Sequence, residues 1–231
     1  TDIDYLAMAQ YCSNTNLTCV MPMPYGLRYE GLASGLYEEL NQKSVTGAIA
    51  FMRGSGYRLA CVEEGRFHLC VMSHLAFEYY EQQGKDIQMV ATFGSRSYVE
   101  QHRIFVRPDF DGNWQGCKVG LDTSSVDQER LTRFCFADKP VQYVPIIYSQ
   151  LVPFLHNGMI DAGVWSADML PEGLSYYPMP CLDEQEKDTV AVLVCRKSDN
   201  VTAQLVRKVL SVQNVTDIQR RVMNREIIPR Y

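Results

Sequence analysis

Residues 118–131 read KVGLDTSSVDQERL, and residues 141–168 read VQYVPIIYSQLVPFLHNGMIDAGVWSAD. Three short apolar runs, at 117–121, 141–147 and 159–165, read as strands. The first ends in Asp122-Thr123-Ser124-Ser125, which opens a helix at about 125–136. The second leads through Tyr148-Ser149-Gln150 into a helix that stops at Asn157-Gly158, glycine being the expected residue after a helix end. The third runs into Ser166-Ala167-Asp168. Apolar runs alternating with amphipathic helices predict a parallel α/β sheet whose strands are covered on both faces.

The same unit recurs upstream. A strand at 16–21 (NLTCVM) is broken by Pro22-Met23-Pro24-Tyr25-Gly26. Leu32, Leu36 and Leu40 then predict a helix from about Tyr29 to Asn41, despite Gly31 and Gly35. Strands at 45–52, 67–72 and 86–93 follow, with helices near 56–64 and from Ser73-His74 to Gln83. A further strand at 102–107 ends at Pro108, and the turn-rich Asp109–Gly116 segment is the expected crossing to a second lobe. Downstream, 182–188 is acidic and expected to be solvated, 189–196 reads as a central buried strand, and two helices finish the chain. The expected architecture is α/β with two lobes, two inter-lobe crossings and a cleft between. Lobe 1 takes 16–107 and 188–231, lobe 2 takes 108–187, and 1–15 form a linker helix.

Composition narrows the function classes. Of 231 residues, 46% are hydrophobic and 21% charged, ordinary for a globular chain and wrong for a disordered one. A net charge of −5 argues against this segment coating a phosphate backbone. No window approaches the roughly 18 apolar residues of a membrane span. Asp2 and Asp4 stand where a secretory signal would be basic. The first residue is Thr1 rather than Met, which is read as trimming, processing or a fragment, with an extension ahead of Thr1 left open. The eight cysteines show no CxxC or CxxH spacing, so no metal site is expected, and Cys19, Cys70 and Cys195 lie inside apolar runs. Reduced core thiols in a cytoplasmic protein are the expectation.

Candidate binding groups cluster where strands end and helices begin, the place where open α/β sheets bind ligands. They are Pro24, Tyr25 and Gly26; Ser73 and His74; Gly94, Ser95 and Arg96; and Thr123, Ser124 and Ser125. Any one hydroxyl there is by itself an N-cap, but several such loops on two lobes present free N–H groups that favour a carboxylate or phosphate. Arg96 could add a bidentate charge partner. Asp161, inside an apolar run, needs a partner, and Trp165 could stack on a ligand or simply pack. Tyr25, Tyr29, Tyr79 and Tyr80 could line a wall. Arg53-Gly54-Ser55-Gly56 lacks both the P-loop and the dinucleotide pattern, so no cofactor is expected. No nucleophile–base–orienter set can be assembled; His74 with Cys70 or Asp161 is the one pairing an enzyme reading would use.

The segments Val119-Gly120-Leu121-Asp122-Thr123-Ser124 and Leu155-His156-Asn157-Gly158-Met159-Ile160-Asp161-Ala162 resemble the second lobe of type 2 periplasmic-binding-protein folds. FHLCVMSHLAF, at 67–77, resembles the first-lobe strand and helix that supply ligand contacts. The whole sequence resembles the C-terminal domain of the bacterial YhfZ family. That resemblance implies a Venus-flytrap domain sensing a small metabolite for a transcription regulator, with DNA contacted only through a helix-turn-helix segment absent from this chain. A homodimer, no membrane contact and a cytoplasmic location go with it. A periplasmic solute-binding protein and, behind it, an enzyme on the same fold are the alternatives.

Overall fold

The computed structural model describes residues 16–41, 45–168, 170–180 and 185–231. The linker helix expected at 2–11, Cys12 and Cys181 lie outside them. Lobe 1 begins with β1 (Asn16–Met21), α1 (Leu27–Leu40), β2 (Thr46–Phe51), α2 (Ser55–Glu63), β3 (Leu69–Ser73), α3 (His74–Gln82) and β4 (Ile87–Thr92). Lobe 2 holds β5 (His102–Val106), β6 (Lys118–Leu121), α4 (Val126–Cys135), β7 (Gln142–Pro145), α5 (Leu151–His156), β8 (Ala162–Ser166) and β9 (Ser175–Pro178). The chain returns through α6 (Gln185–Thr189) to β10 (Ala191–Arg196), α7 (Asn200–Val209) and α8 (Val212–Met223) in lobe 1.

Each lobe carries a five-stranded sheet, in the orders β2-β1-β3-β10-β4 and β7-β6-β8-β5-β9. In both, four strands run in one direction and the strand that enters from the other lobe runs antiparallel to them. In lobe 1 the period-2 alternation of the strands splits the core into two layers. Leu17, Cys19 and Met21 face α1, α7 and α8, with Val71 and Leu193 beside them. Val20, Cys70, Met72 and Val194 face α2 and α3. Serine and aspartate start four of the helices: Ser73, Ser125, Asp199 and Ser211 each accept a backbone N–H from three residues on.

Helix α1 contains Gly31 and Gly35, which lower helix propensity but face α8. A Cβ on Gly35 would stand 2.7 Å from the Val215 carbonyl oxygen, and one on Gly31 would stand 2.9 Å from the Gln219 backbone. The two helices therefore pack backbone to backbone, and propensity yields to tertiary contact.

Three expectations are corrected. Strand β5 pairs with β8 and β9, so it belongs to lobe 2 and the first crossing is 93–101 rather than 109–116. That crossing is partly buried, with Phe93, Ser97, Tyr98 and Val99 inside and Gly94, Ser95 and Arg96 exposed. The turn-rich stretch instead links β5 to β6, where Asp111 and Asn113 bond backbone N–H groups two residues on. The acidic 182–188 stretch is not wholly solvated, because Asp188 sits on α6 and is buried. Strand β9 has no apolar run to betray it; it is an exposed edge strand closing on Pro178.

Gly35→Ala is expected to destabilise the protein by about 1–2 kcal/mol in urea unfolding, since overpacking outweighs the gain in helix propensity. An unchanged or increased midpoint would show that α8 can move away.

Candidate functional site

A cavity of about 400 Å³ lies between the lobes, within the range of small-molecule sites. Lobe 1 contributes the loop after β1, the first turn of α1, and the Arg53–Arg58 stretch. Lobe 2 contributes 122–128, 147–149 and 165–168. Three helices of eight or more residues start at this cavity: α1 after Gly26, α2 after Gly54 and α4 after Ser125. Gly26 and Gly54 have no side chain to cap the N–H groups of α1 and α2. Gly54 also has φ +70, and a Cβ there would lie 2.9 Å from the Ser124 carbonyl oxygen of the other lobe. Only glycine permits both that turn and that approach.

The charged groups divide sharply. Asp122 accepts from the Ser124 N–H and hydroxyl and from the Tyr148 N–H. Asp168 pairs with Arg28 at 2.5 Å and accepts from the Ser166 hydroxyl and the Glu100 N–H. Arg28 also pairs with Glu100 at 2.6 Å and donates to the Arg96 carbonyl. Asp127 accepts from the Ser73 hydroxyl at 2.5 Å, and burial pushes its carboxyl up to about 6. The cations of lobe 1 differ. Arg58 is 2% exposed, and its guanidinium donates to the Val71 carbonyl, the Met52 carbonyl and the Tyr98 hydroxyl at 2.9–3.1 Å. Those bonds use three of five N–H groups. Arg53 donates to the Tyr25 hydroxyl at 3.0 Å. Among the described residues neither arginine has a carboxylate within ion-pair distance.

At the floor, His102 and Asp188 form a buried pair where the two crossings meet. Burial pulls the imidazole down, the Asp188 carboxylate pulls it up, and the net direction is up. On lobe 2, Tyr148 and Trp165 stack with centroids 3.9 Å apart and planes within 20°.

The cleft brings together Tyr25, Gly26, Thr123, Ser124, Ser125 and Trp165 from the sequence-derived candidates, and Tyr29 with them. Pro24 sits between lining residues without lining the cavity itself. Ser73 is fully buried, capping α3 and bonding Asp127 across the lobes. His74 faces Glu78 at 3.5 Å rather than the cavity. Gly94, Ser95 and Arg96 are exposed on the first crossing; the Arg96 side chain is 68% exposed and pairs with Glu100. Asp161 precedes β8 and bonds the Lys118 N–H and Arg107, away from the cavity. Cys70 lies in the lobe 1 core, where burial pushes its thiol up to about 12, far from a thiolate. Tyr79 and Tyr80 pack beside each other outside the cavity lining. Arg58, Tyr57, Arg28 and Asp168 escaped the sequence reading. One signal was present: Arg58 falls on the buried stripe Ser55, Arg58, Leu59, Val62 of α2, and a cation on an apolar stripe needs a reason.

Two sheets of this order around a ligand-sized cleft define a two-lobed domain of the type 2 periplasmic-binding-protein class. The solved aliphatic sulphonate binding protein SsuA of Escherichia coli superposes with TM-score 0.68 at 12% identity, covering 91% of this chain and 75% of that one. The substrate binding protein of a Streptococcus pneumoniae methionine transporter gives 0.63 at 13% identity, over 92% and 93%. The chain belongs to the YhfZ C-terminal domain family, whose model matches residues 4–231. It is 30% identical to the uncharacterized protein YhfZ of Escherichia coli K12, over all of this chain and 76% of that one. The crystal structure of YhfZ from Shigella flexneri matches with TM-score 0.83 at 31% identity, over 99% and 98%. Among the described residues, no helix is long and apolar enough to cross a membrane and no cluster of His, Cys, Asp and Glu could hold a metal.

Because Asp127 is raised from 3.8 to about 6 on folding, its contribution to stability is full below pH 4 and is lost as pH rises through about 6. The loss amounts to about 3 kcal/mol. Asp127→Asn keeps the acceptor for Ser73 and removes the titration. Its stability relative to wild type, from denaturant titrations, should therefore rise between pH 4 and pH 7. Parallel pH curves would refute the assignment.

Proposed function

We propose that this chain is the effector-binding part of a bacterial transcription regulator and takes a small anionic metabolite in its inter-lobe cleft. The observation that carries the anion is Arg58, a buried guanidinium with no carboxylate within ion-pair distance among the described residues. An unpaired buried cation costs several kcal/mol, which an incoming carboxylate or phosphate would offset. The uncapped starts of α1 and α2 add N–H donors of the same preference. The neighbouring carboxylates are committed within the protein: Asp122 and Asp168 are saturated internally, and Asp127, outside ion-pair distance of Arg58, spends one oxygen on the Ser73 hydroxyl.

In this reading the ligand touches both lobes and so stabilises one relative position of them, which a helix-turn-helix segment outside this chain converts into altered DNA binding. The protein works in the cytoplasm, as a homodimer, and performs no turnover. A second reading, a periplasmic solute-binding protein, draws on the two transport proteins that share the fold; fold alone does not choose between them. Intact mass of the native protein from separate cytoplasmic and periplasmic fractions does. A cytoplasmic species with an extension ahead of Thr1 supports the regulator, and a periplasmic species starting near Thr1 overturns it.

A panel of metabolite anions screened by thermal shift and then calorimetry tests the site. Arg58→Lys should weaken the best anion by about tenfold or more, because a point charge cannot replace the oriented fork. Arg96→Ala should leave it within about twofold. The reverse pattern would move the site to the first crossing.

A further inference from the structure

The cleft is not lined as a site for a bare anion would be. Tyr57 is 63% exposed, Ile147 46% and Tyr25 41%, and these large apolar side chains reach the same cavity from both lobes. Side chains of that size left open to water within one concave site mark a surface meant to be covered. Opposite lobe 1, Trp165 is held flat by its stack on Tyr148, forming a rigid wall. The polar inventory excludes as much as it admits. A ligand ammonium would need an uncommitted carboxylate, and Asp122 and Asp168 are already engaged on both oxygens. Asp127 is buried and has one oxygen on Ser73.

We infer that the ligand is an organic acid with a flat apolar body and no amino group, its anionic end against Arg58 and Arg53 and its body between Tyr25 and Tyr57 on one lobe and Ile147 and Trp165 on the other. This rests on the anionic-effector reading above and sharpens it. The uncommitted N–H groups of Arg58 fix the acid end. The aromatic side chains then take the body edge-on or stacked, which orients the ligand along the cleft and brings both lobes into contact with one molecule.

The test uses 3-phenylpropanoate, 3-phenylpropanamide, propanoate and L-phenylalanine, titrated by calorimetry into the whole chain. Trp165 fluorescence serves as a second readout, recorded in Trp114→Phe because the other tryptophan packs on Phe110 and Phe136 outside the cleft lining. We expect 3-phenylpropanoate to bind at least about tenfold tighter than each of the other three. Tyr57→Ala, a change at an exposed position, should cost it about fivefold and leave propanoate unchanged. Propanoate binding as tightly as 3-phenylpropanoate removes the apolar body and leaves the anionic effector standing. Equal binding of the amide overturns both. Equal binding of L-phenylalanine overturns the exclusion of an ammonium. No binding by any of the four overturns this inference, while the anion panel with Arg58→Lys judges the effector reading separately.

Discussion

Arg28 holds the geometry of the cleft. From the first turn of α1 it reaches Glu100 on the first crossing, the Arg96 carbonyl beside it, and Asp168 beyond β8 in the other lobe. One planar fork thus ties a helix start, a crossing and the second lobe together. Arg96 has φ +60, a conformation costing a non-glycine residue roughly 1 kcal/mol, and the bond to its carbonyl helps hold it there. Gln219 of α8 donates to the carbonyls of Arg28 and Ser97, so the last helix braces the same junction. Behind the cleft, the Ser73–Asp127 bond makes a second tie. Leu75 of α3 packs in a lobe 2 cluster and Val126 of α4 in a lobe 1 cluster, so this side is joined by core packing as well.

Arg28 and Arg58 make an informative pair. Both are buried guanidiniums beside one cavity, but Arg28 has two carboxylates and Arg58 has none among the described residues. Burial charges the same desolvation to each, so the difference lies in what each was placed to meet. Arg28 is complete within the protein. Arg58 is oriented by two carbonyls and a tyrosine hydroxyl, and this contrast with Arg28 is the ground of the proposed anion site. Of the acidic residues that line the cavity, Asp122 and Asp168 have both oxygens engaged within the protein and Asp127 has one on Ser73.

The alternation of strands and helices was legible because buried strands need apolar runs and helix ends need glycine or hydroxyls, both local facts. The cleft loops were legible for the same reason, as Tyr25, Gly26 and Thr123–Ser125 follow strands. What stayed hidden depends on distant pairs. Ser73 and Asp161 are both polar residues set against apolar runs, Ser73 at the end of one and Asp161 inside another. One bonds Asp127 across the lobes, and the other bonds Lys118 and Arg107 away from the cavity. The first crossing was misplaced because turn-forming residues mark a change of direction, not a change of lobe. The real crossing at 93–101 carries turn residues of its own, Gly94-Ser95-Arg96-Ser97, so turn composition alone does not tell the two segments apart.

His102 and Asp188 show how the two crossings become one hinge. His102 opens β5 at the end of the first crossing, and Asp188 lies on α6 in the second. Their bond is buried on both sides, so any movement that parted the crossings would leave an unpaired charge or donor in a dry environment. Thr189 accepts from the Arg96 N–H and the Ser97 hydroxyl donates to the Gly94 carbonyl while accepting from the Ala191 N–H, which stitches the strands of chain further together. The crossings therefore behave as a single braced element. The α3–α4 contact, held by the Ser73–Asp127 bond, ties the lobes at a second place.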